Sequence, residues 1–118
     1  MDGISVDSLS LVQRLALLSI ATAVADGEAP VDSRDVREQS GRLLDAVETE
    51  VVGTPNERDV MRALSALGSE PYIDEQQTDQ SPAGKGRPTY TLTVDVTAVF
   101  DVLAEDEQLA AAVERGRP

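Results

Sequence analysis

Two groups of basic side chains are the best candidates for chemistry in this sequence of 118 residues. Arg58 and Arg62 stand four residues apart, a spacing that puts both on one face of a helix. Lys85 and Arg87 flank Gly86, and glycine lets a backbone approach a phosphate while the two cations reach outward. Because arginine also matches the O6 and N7 edge of guanine, we expect both groups to contact nucleic acid.

The distribution of charge points to the same two segments. The chain carries 22 acidic and 10 basic residues, a net charge of −12. Residues 54–68 nevertheless carry no net charge, and residues 84–94 carry +2 and hold the only lysine, whereas the segments around them are acidic. Two plainer interpretations stay open. In the first, Arg58 and Arg62 are ordinary surface residues that pair with Glu57 or Asp59. In the second, the glycine-rich loop is solvated and its lysine has no function.

The composition excludes several classes of site. The chain has no cysteine and no histidine, which removes disulfides, thiolate metal sites and the commonest general base. The run Gly84–Arg87 lacks the spacing of a phosphate-binding P-loop, and Glu105–Glu107 lacks that of a calcium loop. We therefore expect no enzymatic activity, no metal and no cofactor.

The acidic residues are spread along the whole chain, a pattern typical of proteins from extreme halophiles. An ordinary acidic protein is the alternative. In molar salt the Debye length is only about 3 Å, so local contacts rather than net charge would decide whether DNA binds. The acidic start, Met1-Asp2, does not resemble a signal peptide, and the longest apolar segment, Leu15–Ala25, is about half of a membrane span. We expect a cytoplasmic protein.

Two helices are predicted ahead of the arginine pair. The first runs from about Ser8 to Ala25 and stops at Asp26-Gly27. The second begins at a cap, either Asp32 or Ser33, and ends at Gly53. Its predicted buried face consists of Val36, Leu43, Leu44 and Val47.

The third helix has the clearest predicted start. Thr54, Pro55 and Glu57 follow the capping-box pattern, and Gly68 closes the helix. The predicted buried face consists of Val60, Met61, Leu64 and Leu67, and the opposite face carries Arg58, Arg62 and Ser65. Asn56, at the helix N-terminus, is a further candidate for contact with a base or a phosphate.

A hairpin and a helical tail complete the chain. Residues 72–76 and 89–94 are predicted strands, the second because Tyr90, Leu92 and Val94 alternate with threonines. A last helix runs from about Val96 to Leu103, and an apolar patch after Asp106 extends it. Leu103, Leu109 and Val113 either cover the chain's own core or form a dimer interface.

This order of elements predicts a mainly α fold with a small β-hairpin, the winged helix-turn-helix. We expect one domain over residues 1–118, with its core at about 8–103 and a C-terminal helical extension at 104–118. In this architecture the third helix reads DNA and the hairpin loop is the wing. The candidate DNA-binding residues are Asn56, Arg58, Arg62, Ser65, Lys85, Gly86 and Arg87.

The run from Leu9 to Ala21 resembles the first helix of the C-terminal winged-helix domain of archaeal origin-recognition initiators, with its pattern L-x-x-x-Q-R/K-L-x-L-L-A. The start of the third helix, Thr54–Arg58, and Gly84–Arg87 ahead of Tyr90-Thr91-Leu92 are similar as well. The wing is also similar to those of PadR and MarR regulators. The resemblance implies binding of double-stranded DNA through Arg58, Arg62, Lys85 and Arg87. The ATPase domain that accompanies the initiators' winged helix has no counterpart in these residues.

Two functions follow as hypotheses. The first is non-enzymatic binding of double-stranded DNA, as a transcriptional regulator or a stand-alone initiator-like module. The second is a winged helix that contacts another protein and has no role on DNA.

Overall fold

The computed structural model of the chain describes Val6 and residues 9–44, 56–77, 88–107 and 109–116. The side chains of Leu44, Glu57 and Gln77 lie outside this description. The elements are α1 (Leu11–Asp26), α2 (Ser33–Leu44), α3 (Glu57–Leu67), β1 (Ile73–Gln77), β2 (Pro88–Leu92), α4 (Val96–Ala104) and α5 (Ala110–Gly116). Their order and the antiparallel hairpin confirm the predicted fold class.

Helix α1 forms the centre of the core. Residues 15–23 are all buried, because the other four helices and β2 pack around it. The helix begins at Leu11, later than predicted, since Ser10 and Gln13 form a capping box with N···O distances of 2.8 and 3.2 Å. It ends as predicted at Gly27, whose φ of 77° lies in the left-handed region that glycine adopts most readily.

Helix α2 begins at the predicted place. Asp32 accepts from the backbone nitrogen of Asp35 at 3.0 Å, and Asp35 accepts in return from that of Asp32 at 3.3 Å. Val36 and Leu43 are buried, as predicted. The predicted burial of the Leu44 side chain and of Val47, and the predicted end at Gly53, concern parts of the chain outside the described residues.

The predicted cap of α3 was wrong. The N-cap is Asn56, whose Oδ1 accepts from the backbone nitrogen of Asp59 at 2.8 Å, and Asp59 accepts from that of Asn56 at 3.3 Å. Asparagine ranks with the strongest N-caps, and an acid three residues later completes the same reciprocal box that was expected of Thr54 and Glu57. Thr54 and Pro55 lie outside the described residues.

Both predicted strands form, with shifted ends. In the antiparallel register Ile73 lies opposite Leu92, and Gln77 lies opposite Pro88. Strand β2 stops before Val94, which is 38% exposed, so the predicted alternation fails there. The chain turns at this point because Asp95 caps α4, accepting from the backbone nitrogen of Thr97 at 3.0 Å.

The C-terminal patch forms a separate helix and does not extend α4. Residues 105–107 and 109 turn between α4 and α5, and Asp106 in this turn pairs with Arg14 on α1. Leu103, Leu109 and Val113 are each 0% exposed in the chain's own core. They therefore cover the monomer's core, the first of the two alternatives, and are not open to a second copy in this conformation.

Candidate nucleic-acid interface

The outward face of α3 brings three of the predicted residues together. Val60, Ala63, Leu64 and Leu67 bury the inner face of the helix, which packs on α1 and α2. Burial of this face fixes how the helix is rotated, so the opposite face is exposed. Arg58, Arg62 and Ser65 lie there and line one surface depression.

The prediction that Met61 is buried was wrong. The sequence predicts it in the core, but it is 54% exposed and lines the same depression as Arg58 and Arg62. At roughly 3.6 residues per turn, Met61 lies at the edge of the apolar stripe, beyond Leu64. The packing partners of α3 cover the stripe only up to Leu64, and Ala63 takes the remaining core position.

The two arginines make no ion pair with any side chain that the structure describes. Asp59, one of their expected partners, uses its carboxylate to accept from the backbone of Asn56. The other expected partner, Glu57, has a side chain outside the described residues. Arg14 on α1, unlike Arg58 and Arg62, forms an ion pair, with Asp106.

Asn56 has a structural role at the end of this surface. Its side chain is exposed, and Oδ1 accepts the hydrogen bond that caps α3. The cap holds the first turn of the helix beside Arg58. Any contact of Asn56 with DNA would therefore be made by a residue that also stabilises the helix.

A second groove, of about 280 Å³, runs between α3 and the hairpin. Met61 and Ser65 line it from α3, Ser33 from the start of α2, and Pro88 and Tyr90 from β2. Burial, together with the nearby charge of Glu75, raises the pKa of the Tyr90 hydroxyl. The side of α3 that carries Met61 thus faces the hairpin across this groove.

Arg37 on α2 is a further basic residue beside this surface and is not among the predicted contacts. It is exposed and stands one turn after Ser33, which places it on the side of α2 that borders this groove. In helix-turn-helix proteins the helix before the reader crosses the DNA backbone. In the sequence, the four-residue spacing of Ser33 and Arg37 is the signal that could have indicated this position.

The predicted wing residues Lys85, Gly86 and Arg87 lie outside the described residues, so their contact with DNA stays a prediction. Among the described residues there is no cluster of acidic side chains arranged to hold a metal ion. None of the helices in this part of the chain is long and apolar enough to cross a membrane.

The fold and the exposed face of α3 define a winged helix-turn-helix domain. No protein-family model matches the chain, and no curated protein matches it. The chain is similar to a solved structure of the Orc1 protein of Aeropyrum pernix in complex with DNA, with a TM-score of 0.69 and 26% sequence identity. The match covers 87% of this chain and 26% of the Orc1 chain. The likeness therefore concerns about a quarter of that protein.

Proposed function

We propose that this chain binds double-stranded DNA through α3 and the wing, without catalysis and without a cofactor. The observation that carries the proposal is the outward face of α3, where Arg58 and Arg62 are exposed and unpaired with any described side chain. Arg58, Arg62 and Ser65 would contact the major groove, and Asn56 the phosphates at the helix N-terminus. Lys85, Gly86 and Arg87 would contact the neighbouring minor groove and its phosphates. The likeness to an Orc1 protein solved with DNA supports the same class of ligand.

The net charge of −12 opposes binding to a polyanion at low salt. We place the protein in the cytoplasm of a halophilic archaeon, where molar salt shortens the Debye length to about 3 Å. Under these conditions the remote carboxylates are screened, whereas the hydrogen bonds of the arginines to base edges are retained. Affinity then depends on local contacts, and these are the contacts that distinguish one sequence from another.

Two roles fit such a domain: transcriptional regulation, and a stand-alone module in DNA replication of the kind that the initiator resemblance implies. The enriched sequence would separate them by its position in the genome. Sites upstream of genes favour a regulator, and a cluster at one place in a replicon favours the replication module.

The test is enrichment of genomic double-stranded fragments by the folded protein in molar potassium chloride, followed by sequencing of the bound fraction. Circular dichroism in the same buffer establishes that the protein is folded. We expect a short recurrent motif. Folded protein that enriches no sequence would overturn the proposal.

The surface is tested by replacing Arg58, Arg62, Lys85 and Arg87 together with alanine, which should abolish binding to the enriched duplex. Arg42→Ala is the control for the loss of an arginine elsewhere on the surface. It removes one arginine from the cleft between α1 and α2 and should leave binding unchanged. Wild-type binding by the fourfold variant would refute this surface.

A protein partner without DNA is the second candidate function. The observation that favours it is a cleft of about 390 Å³ between α1 and α2, lined by acidic side chains that include Asp26, Glu28, Asp35 and Glu38. Crosslinking that returns one defined protein, together with no enrichment of DNA, would favour this function. A homodimer through the C-terminal helix would need a surface other than the buried Leu103, Leu109 and Val113, and sedimentation at high salt tests for it.

A further inference from the structure

Met61 is a large apolar side chain on the proposed DNA-contacting face of α3. It is 54% exposed, and it lines the depression that Arg58, Arg62 and Ser65 also line. Isolated exposed apolar residues are common on protein surfaces, so exposure alone explains nothing. The position is informative, because this apolar group lines the same depression as the cations that would face the base edges.

Met61 also lies on the side of α3 that faces the hairpin. It lines the groove that Pro88 and Tyr90 border, and Tyr90 is buried there. The methionine therefore lies between the groove that faces the hairpin and the depression that the arginines line. This arrangement presents its thioether end at the same surface as the polar contacts.

We infer that Met61 contacts the C5-methyl group of a thymine in the major groove and so determines part of the sequence that is bound. The inference rests on the proposed DNA binding. Among the base-edge groups of the major groove, the thymine methyl is the one that an apolar side chain recognises. Methionine suits this contact because it is unbranched and polarisable and adapts its shape to an irregular surface.

The neighbouring residues divide the recognition between them. Arg58 and Arg62 provide donors for guanine, and Ser65 provides a hydroxyl that serves either kind of partner. None of these three side chains detects the methyl group that thymine carries and that uracil and unmethylated cytosine lack. Met61 supplies that discrimination, and it marks a thymine beside the bases that the arginines contact.

The experiment uses the duplex recovered by genomic enrichment. Each thymine in it is replaced in turn by deoxyuridine, which lacks the methyl group and keeps the base pair. Affinity is measured by fluorescence anisotropy at one fixed concentration of potassium chloride. We expect one replacement to weaken binding of the full chain by about three- to fivefold, the loss that corresponds to one buried methyl group.

Variants assign this effect to Met61. Met61→Ala should bind the thymine and deoxyuridine duplexes equally, and Met61→Leu, which keeps an apolar side chain, should still distinguish them. Val94→Ala is the matched control, since Val94 is also an exposed apolar residue but does not line the α3 depression. It should distinguish the two duplexes as the wild type does.

The outcomes separate this inference from the function on which it rests. Binding that is insensitive to every deoxyuridine replacement, or sensitivity that persists in Met61→Ala, overturns the role of Met61 and leaves DNA binding standing. If the folded protein binds no duplex, both the proposed function and the role of Met61 are refuted. Loss of the discrimination in Met61→Ala, with its retention in Met61→Leu, supports the inference.

Discussion

Val31 and Tyr90 exchange two backbone hydrogen bonds, with N···O distances of 3.0 and 2.7 Å. This pair forms an isolated antiparallel bridge between the segment that precedes α2 and the middle of β2. On its other side Tyr90 lies opposite Glu75 of β1. The bridge therefore joins the hairpin to the helix-turn-helix unit and fixes the position of the wing's base relative to α3.

The bridge predicts a pattern of amide hydrogen exchange. The Tyr90 amide points towards Val31, so its protection depends on the bridge, whereas the Thr93 amide bonds to the carbonyl oxygen of Tyr72 across the hairpin. We expect the Val31 and Tyr90 amides to exchange as slowly as that of Thr93 in native protein, measured by nuclear magnetic resonance. Rapid exchange at Tyr90 beside a protected Thr93 would show that the hairpin is not joined to Val31.

Asn56 allows its capping role to be separated from its proposed role on DNA. Asn56→Ala removes the oxygen that accepts from the Asp59 nitrogen and should lower the free energy of unfolding by about 1 kcal/mol. Asn56→Asp keeps the cap and should preserve stability, because a carboxylate at a helix N-terminus is favourable. Its added negative charge should nevertheless weaken binding to the enriched duplex. Denaturant unfolding and duplex titration measure the two effects, and wild-type affinity in Asn56→Asp would place Asn56 away from the DNA.

The two tyrosines predict how stability depends on pH. Burial, with a smaller contribution from Glu70, raises the pKa of Tyr72 to about 12, and burial also raises that of Tyr90. In the unfolded chain both should titrate at about 10. The folded state therefore holds these protons more tightly, so the stabilisation is complete below about pH 10 and is lost as the pH rises towards 12.

Phenolate absorbance measures this directly, because the chain contains two tyrosines and no tryptophan. We expect ionisation of the native protein to be delayed relative to that of the protein in denaturant. Tyr72→Phe is the control, because it should remove the latest step. The Tyr72 hydroxyl is buried and has no hydrogen-bond partner in the described part of the chain, so this variant should be as stable as the wild type or up to about 1 kcal/mol more stable. Coincident titration of native and denatured protein would contradict the burial of both rings.

Gly116 and Thr22 predict a stability effect at the joint between α5 and α1. A Cβ atom added at Gly116 would collide with Oγ1 of Thr22, a buried hydroxyl that donates to the Leu18 carbonyl oxygen at 2.8 Å. Gly116→Ala should therefore lower the free energy of unfolding by about 1–3 kcal/mol, the usual cost of overpacking. The substitution should cost less in a Thr22→Ala background, where the obstructing oxygen is absent. An equal cost in both backgrounds, measured by denaturant unfolding, would disprove this contact.

Much of the fold could be predicted from the sequence, because the signals are local. Apolar periodicity places α1, α2 and α3, the acid at position 32 starts α2, and glycines at positions 27 and 68 end α1 and α3. The exposure of Arg58, Arg62 and Ser65 was predictable for the same reason. Their spacing alone sets them opposite a strongly apolar stripe.

Other features were decided by tertiary structure. Periodicity shows the centre of an apolar stripe on a helix but not the width of the stripe that is buried. That width depends on which elements pack against the helix, and Met61 lies just outside the part of α3 that they bury. The bridge between Val31 and Tyr90 joins residues far apart in the sequence, and no local sequence pattern predicts it. Leu109 and Val113 suit a monomer's core and a dimer interface equally well as sequence. Only the turn after α4, at residues 105–107 and 109, brings α5 back onto α1 and places them in the core.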